Sequence, residues 1–342
     1  MINIIVDAMG GDNAPEAIID GCLEAISMQD GFKITLVGIS EVIEKVLKSK
    51  EYNKDRIEMV NATEVIKGDD TPTKAIRGKK DSSMVVGLKM LKEKKGDAFL
   101  SAGNTGALLT GSLLIVGRLK GIDRPSMPAL VPTKKNMCLI IDAGMNTVCK
   151  PLNYLQFGIM GSIYMKLIFN QETPKVGLVN VGSEDAKGND TLKQAFGLLS
   201  SSPVNFVGNI EGNDITGGEV DVAVCDGYVG NVALKLYEGA GSFFMKELKK
   251  IFTSNILTKI CYLLVKPFFR DFKNKLDPDE LAGAPVLGIN GLVIKSHGSS
   301  KAKTIRTAIL KRTLPLIKNG IVDEIREQFK NMEVKPSEDD ID

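Results

Sequence analysis

The chain has 342 residues, a quarter of them charged, with 44 Lys and Arg against 42 Asp and Glu. That length and balance suit a globular protein of one large or two medium domains. A net charge of +2, with no basic run interleaved with aromatics, speaks against nucleic acid as a partner. Cys22, Cys138, Cys149, Cys225 and Cys261 are far apart and form no C-x-x-C pair, and a single histidine leaves no metal cluster. The thiols read as small buried hydrophobes in a reducing compartment.

Short apolar runs then alternate with segments of helical period. IIV at 4–6 precedes 14–29, ITLV at 34–37 precedes 40–49, and DAFL at 97–100 precedes 104–119. MCLIID at 137–142 precedes 152–169, VGLVNV at 176–181 precedes 188–200, and VDVAVCD at 220–226 precedes a helix from 229 onward. The alternation predicts an α/β fold. Apolar strands without polar alternation suit a mainly parallel sheet with helices on both faces, whose ligands bind beyond the carboxyl ends of the strands. The N-terminus reads as strand, without the basic start of a signal peptide, and no uncharged apolar run reaches about 18 residues. The cytoplasm is the expected location.

The strands empty into "DAMGGDN", "SAGNTGA", "DAGMN", "NVGSEDAKGND", "GNIEGND" and "CDGYVGN". Glycine lets a loop turn its N–H groups into a concave nest, and short polar side chains add donors at its rim. Any one loop is equally a plain turn. Six of them at one edge of one sheet predict a large polar cleft. In the first, the strand ends at Asp7, Gly10 and Gly11 bring backbone close to an anion, and Pro15 favours the next helix. Asp7 and Asp12 also read as caps that brace this loop.

Nucleotide motifs fail the test: no G-x-G-x-x-G follows a strand, and "GALLTGSL" from Gly106 lacks the P-loop lysine. "SHGSS" at 296–300 opens a predicted helix 299–319, an anion site to which His297 adds a donor unless it is a structural histidine. From 252 to 276 the positions Ile256, Ile260 and Leu264, beside Leu257, Cys261 and Val265, predict an amphipathic helix joined at Pro267 to a second carrying Phe268, Phe269, Phe272, Arg270, Lys273 and Lys275. Subunit contact, core packing and membrane-surface contact are all compatible with that pattern. The acidic 333–342 reads as a tail without a core.

The segments "DAMGGDNAP", "SAGNTGAL", "GLVNVGSEDAKGN", "GNIEGNDI", "CDGYVGNVALK" and "GAPVLGINGLVIKSHGSS" resemble, in order over residues 1 to about 320, the bacterial phosphate acyltransferase (PlsX) family. The resemblance implies an acyltransferase of lipid and phospholipid biosynthesis. Such an enzyme converts a fatty acyl thioester of acyl carrier protein and inorganic phosphate to acyl phosphate and free carrier protein. It implies mainly parallel sheets with helices on both faces, in two interwoven lobes similar to phosphotransacetylases and isocitrate or isopropylmalate dehydrogenases. The expected domain organisation is one catalytic domain, 1–325, with the 252–276 segment and the 333–342 tail. A homodimer is implied, as is peripheral association of 252–276 with the inner face of the cell membrane.

Phosphate is already an oxyanion nucleophile and a thiol of pKa about 8.5 is a good leaving group, so no metal or organic cofactor is expected. The need is for donors that hold the reactants and the developing oxyanion. Candidates for phosphate or thioester binding are Gly10, Gly11, Asp12, Ser101, Gly103, Asn104, Thr105, Gly106, Gly227, Gly230, Gly298 and Ser299, with the Ser296–Ser300 turn. Catalytic candidates are Lys187, His297, Asn180 and Asn231 for orientation or the oxyanion hole, and Asp226 to balance a lysine or handle the departing thiol's proton. Cys225 is the alternative, covalent acyl acceptor. An acidic carrier protein calls for a basic patch, either Lys301, Lys303, Arg306, Lys311 and Arg312 or Lys266, Arg270, Lys273 and Lys275.

Overall fold

A computed structural model describes residues 1–275 and 278–330, without the side chains of 268–275 and 278. The strands in chain order are β1 (Ile2–Asp7), β2 (Phe32–Gly38), β3 (Ile57–Asn61), β4 (Ala98–Ser101), β5 (Ala129–Pro132), β6 (Met137–Ile141), β7 (Lys175–Val179), β8 (Asn205–Ile210), β9 (Val222–Val224), β10 (Ala284–Val286) and β11 (Leu292–Lys295). The chain forms two compact units. The first comprises Met1–Pro128, Ile159–Glu172 and the described residues from Ala282 onward; the second comprises Ala129–Gly158 and the described residues of Thr173–Leu281.

The first unit holds a six-stranded sheet in the order β10-β11-β4-β1-β2-β3, parallel except for edge strand β10. Its centre follows from sequence: Ile4, Ile5 and Val6 of β1 and Phe99 and Leu100 of β4 have no exposed surface, as strands covered on both faces require. Burying each such side chain stabilises the fold by roughly 1.5–3 kcal/mol. Helix Ser83–Lys92 packs so closely on this sheet that a Cβ at Gly87 would lie 2.2 Å from the Phe99 ring.

The second unit holds a five-stranded sheet, β5-β6-β9-β7-β8, parallel except for β5. Its core includes Val131, Cys138, Ile140, Ile210, Ile215, Val220, Ala223 and Cys225. Helix Pro151–Phe169 contains buried Tyr154, Phe157, Met160, Tyr164 and Met165, and the division between units falls within it.

Several expectations change. The glycine loops do not share one sheet: "DAMGGDN" and "SAGNTGA" follow β1 and β4, whereas "DAGMN", "NVGSEDAKGND", "GNIEGND" and "CDGYVGN" belong to β6, β7, β8 and β9 of the other. Apolar strands look alike in sequence, and their sheet membership is decided by tertiary pairing. The expected joint at Pro267 lies elsewhere. Helix Gly227–Thr253 ends at Ser254, the Asn255 side chain accepts from Thr258 N at 2.9 Å, and helix Ile256–Lys275 runs through Pro267. Proline removes only one helical N–H, the one that would donate to the carbonyl of Leu263, on the exposed side of the helix.

Core packing is excluded for the described part of this segment, since Ile256, Leu257, Ile260, Leu263 and Leu264 are all exposed. Phe268, Phe269, Arg270, Phe272, Lys273 and Lys275, and the 333–342 tail, lie outside the residues or side chains described. No described helix is long and apolar enough to cross a membrane. The helix expected from 299 starts at Ala302. The basic stretch behind it is broken, because Arg312 is buried and Arg306 pairs with Glu24 at 2.6 Å.

Candidate active site

In the first unit, the loops after β1, β4 and β11 are tied into one hydrogen-bonded rim. Asp12 N donates to Gly298 O at 2.8 Å, Asn13 Nδ2 to Ser299 O and Ser300 O, and Ser296 N to Ser101 O at 2.9 Å. Gly11 has φ +111°, and a Cβ there would meet Ala102 Cβ and Gly298 O at 3.1 Å. A Cβ at Gly10 would lie 2.4 Å from Asp7 Oδ2 and 2.8 Å from Gly103 N. Both glycines therefore serve close backbone approach.

Beneath the rim is a buried polar network. Asp7 Oδ1 accepts from Ser83 Oγ at 2.6 Å and Oδ2 from Ser101 Oγ at 2.7 Å; Ser101 Oγ accepts from Gly103 N at 3.0 Å. Burial pushes the Asp7 carboxyl above its ordinary range, against the lowering effect of Ser83, Ser101 and the Met9 and Gly10 amides. Lys295, at the end of β11, is buried and donates from Nζ to Gly103 O at 2.8 Å and to Ser296 O. Desolvation lowers its pKa to about 8, although Asp7 and Asp12 favour its charge.

The other candidates on this rim divide by their partners. Asn104 is fully engaged: its Nδ2 donates to Lys67 O, Gly68 O and Asp70 O, and its Oδ1 accepts from Ala107 N at 2.9 Å. Its side chain braces the loop, leaving backbone N–H groups as the donors that this loop can offer. Thr105 is exposed, and a Cβ at Gly106 would press on Pro72 at 2.6 Å. His297 is exposed, with Nδ1 2.8 Å from Ser299 Oγ, and Ser300 Oγ donates to His297 O.

In the second unit, Asp142 closes the path out of β6. Its Oδ2 accepts from Met145 N, Asn146 N and Asn146 Nδ2, and its Oδ1 from Ala143 N. Gly227 and Gly230 allow the helix from Gly227 to approach this loop; Cβ atoms there would lie 2.7 Å from Asp142 Oδ2 and 1.9 Å from Asp142 O. Asp226 caps that helix by accepting from Val229 N at 2.8 Å, and its other oxygen accepts from Tyr154 OH at 3.2 Å. Asn231 is exposed beside Gly144. Asn180 Nδ2 donates to Lys187 O and Asn209 Oδ1, bracing the loop that displays half-exposed Lys187, whose Nζ is 3.8 Å from Glu184.

Cys225 is buried, and desolvation followed by the charges of Asp226 and Asp142 raises its thiol pKa well above the ordinary value. A thiolate nucleophile needs the opposite environment. Sequence reasoning passed over Ser83, Lys295, Asp142 and Tyr154. Asp142 alone carried a signal, as the first residue of "DAGMN" at a strand end.

The architecture recurs in solved structures. The phosphotransacetylase of Streptococcus pyogenes matches with TM-score 0.62 at 14% identity, covering 94% of each chain. A branched-chain phosphotransacylase from Enterococcus faecalis V583 matches with TM-score 0.58 at 12% identity, covering 92% of this chain and 99% of that one. The molecule therefore has the phosphotransacetylase type of α/β fold, in agreement with the fold read from sequence.

Sequence relatives narrow the class. The family model described as fatty acid synthesis protein matches residues 2–321. The phosphate acyltransferase of Acetivibrio thermocellus is 58% identical over 338 residues, 99% of each chain, and that of Alkaliphilus oremlandii 48% identical over 331 residues, 97% of this chain and 98% of that one. The chain belongs to the phosphate acyltransferase family and is an acyltransferase.

Proposed function

We propose that the protein transfers a fatty acyl group from the thioester of acyl carrier protein to inorganic phosphate, giving acyl phosphate for phosphatidic acid synthesis. The observation that carries the phosphate half of this reading is the rim on the first unit. There, three loops from β1, β4 and β11 are locked together by Asp12 N to Gly298 O, Asn13 Nδ2 to Ser299 O and Ser296 N to Ser101 O. Loops fixed in this way hold their remaining backbone N–H groups, such as those of Asn104 and His297, ready for a tetrahedral oxyanion without reorganisation during reaction.

In the proposed step a phosphate oxygen attacks the thioester carbonyl carbon from about 3–3.5 Å. The new O–C bond forms, the tetrahedral oxyanion collapses, the C–S bond breaks, and the carrier-protein thiolate leaves and takes the proton that the hydrogen phosphate gives up on becoming the acyl phosphate dianion. Gly10, Gly11, Gly103, Thr105, Gly106, Gly298 and Ser299 supply or shape the backbone of the phosphate rim, with Asp12, Ser101 and Asn104 holding it. His297 is the side-chain donor at its edge. Asn180, Lys187, Asp226 and Asn231 are proposed to orient the reacting groups. The burial and raised thiol pKa of Cys225 favour direct attack over a covalent acyl-enzyme.

The apolar side chains exposed on Gly227–Thr253 and Ile256–Lys275, among them Leu236, Phe243, Phe244, Leu257 and Leu264, support a homodimer contact and a peripheral contact with the inner face of the membrane. The decisive experiment mixes purified protein with acyl carrier protein thioester and phosphate, and traps acyl phosphate as hydroxamate with hydroxylamine. Phosphate-dependent hydroxamate is expected. Its absence, or a strong preference for acetyl-coenzyme A as donor, would reject the assignment.

A further inference from the structure

Lys295 invites a question that its position alone does not answer. A lysine at the end of a strand would ordinarily extend its ammonium to water, yet this one is only 8% exposed. Burying an ammonium is unfavourable unless its hydrogens find acceptors. Two of its three donors are accounted for, by Gly103 O at 2.8 Å and Ser296 O. The charged groups that face it are Asp7, on β1, and Asp12, in the following loop.

Those two carbonyls belong to the peptides that lead into Asn104 and His297. Both peptides are trans, so each carbonyl and the N–H of the next residue point in opposite directions. Drawing Gly103 O and Ser296 O toward the ammonium therefore turns the Asn104 and His297 N–H groups away from it. Neither N–H donates to another described residue. Gly103 is held at both of its polar groups, because its own N–H donates to Ser101 Oγ, which in turn donates to Asp7. The peptide that leads out of Gly103 thus has little freedom to rotate.

We propose that Lys295 is a positioning residue for inorganic phosphate, holding two peptides so that the Asn104 and His297 N–H groups face the anion. This rests on the proposed phosphate rim. The ammonium does not touch the ligand; it acts through the two carbonyls, and its positive charge under the rim adds to the field at the anion. Loss of its proton removes that charge and weakens both hydrogen bonds. The chemistry of the rim thereby becomes sensitive to pH in the range where Lys295 titrates, at about 8.

The test compares wild type with Lys295→Met, whose side chain has similar length and no donor. Initial rates are measured against inorganic phosphate and against acyl carrier protein thioester. We expect the phosphate KM to rise about tenfold or more, the loss of a charge-assisted hydrogen bond, with the thioester KM changed by less than about threefold. In parallel, calorimetric binding of inorganic phosphate to wild type is followed from pH 7 to 9.5, with concentration expressed as the dianion. Affinity should fall above about pH 8 in wild type. The fall should be absent in Lys295→Met.

An unchanged phosphate KM, or the same alkaline fall in both proteins, overturns the positioning role. If Lys295→Met does not fold, the wild-type series decides, and a flat profile overturns the proposal. Wild type that forms acyl phosphate but gives no such dependence leaves the function standing without the role for Lys295. Wild type that binds no phosphate at any pH overturns the function itself, and the role with it.

Discussion

Ser101 Oγ donates to Asp7 Oδ2 at 2.7 Å, joining the last residues of two neighbouring strands that are 94 positions apart in sequence. The same oxygen accepts from Gly103 N at 3.0 Å, so one buried hydroxyl couples the end of β1 to the loop after β4. Replacing it leaves a carboxylate oxygen and an amide without this partner inside the protein. We predict that Ser101→Ala lowers the unfolding free energy by about 1–3 kcal/mol, the range for an unsatisfied buried polar group. Urea unfolding would measure it; an unchanged midpoint and slope would mean the hydroxyl is dispensable.

Asp7 itself should give an acid-side signature. Burial raises its folded-state pKa, so between the unfolded value of about 3.9 and the higher folded value the native state binds more protons than the unfolded state. Stability from this group is fully present below the unfolded pKa and is lost as pH rises through the folded one. Asp7→Asn cannot titrate. The difference in unfolding free energy, wild type minus variant, should therefore grow more positive as pH is lowered from 7 toward 4. A difference that stays constant would contradict the assignment of burial as the dominant effect.

How far the sequence speaks depends on distance along the chain. The apolar runs at 4–6, 34–37 and 97–100 announce β1, β2 and β4, because a doubly covered strand needs nothing but local apolar content. Gly10 and Gly11 are equally legible, since a strand running into paired glycines signals a tight turn. The link from Asp7 to Ser83 is not, because it joins residues 76 apart through a fold that no local pattern encodes. Lys295 reads as an ordinary polar strand end, and only the arrival of Gly103 O reveals it as interior. Asn104 misleads in the opposite way: its type suggests a donor to ligand, while its amide is taken by Lys67, Gly68 and Asp70.

Gly230 offers a test of packing rather than of polarity. A Cβ there would lie 1.9 Å from Asp142 O and 3.0 Å from Cys225 Sγ, and the first of these is backbone that cannot rotate away. Gly230→Ala must push the helix from Gly227 off the loop after β6. We expect a loss of about 1–3 kcal/mol or more, the range for overpacking, together with lower activity. Gly239 has open space around it, so Gly239→Ala in the same helix is the control and should be neutral or stabilising.

Cys225→Ala separates the two chemical routes. The thiol is buried beside Asp142 O at 3.5 Å and its pKa is raised, so it lacks the thiolate character of a nucleophile. Turnover should survive with kcat within about threefold of wild type, since the change removes a little packing and one weak S–H hydrogen bond to Asp142 O. Incubation of wild type with acyl carrier protein thioester alone, followed by intact-mass measurement, should detect no acyl adduct. An adduct on Cys225, with abolished turnover in the variant, would replace direct attack by a covalent intermediate.

On the role proposed for Lys295, stability and phosphate binding depend on pH in opposite directions. Its folded-state pKa is lowered from 10.5 to about 8, chiefly by desolvation. Between those values the unfolded state holds more protons, so stability contributed by this group rises with pH across that window, by up to about 3 kcal/mol. The charged ammonium therefore destabilises the fold at neutral pH, where the proposed role requires it. The unfolding free energy of wild type minus that of Lys295→Met should increase between pH 8 and 10.5, over the same interval in which phosphate affinity is expected to weaken. Such an opposition is what a residue retained for binding rather than for folding produces. A difference that is level across this range, or that declines, would mean the ammonium is not desolvated as the structure places it.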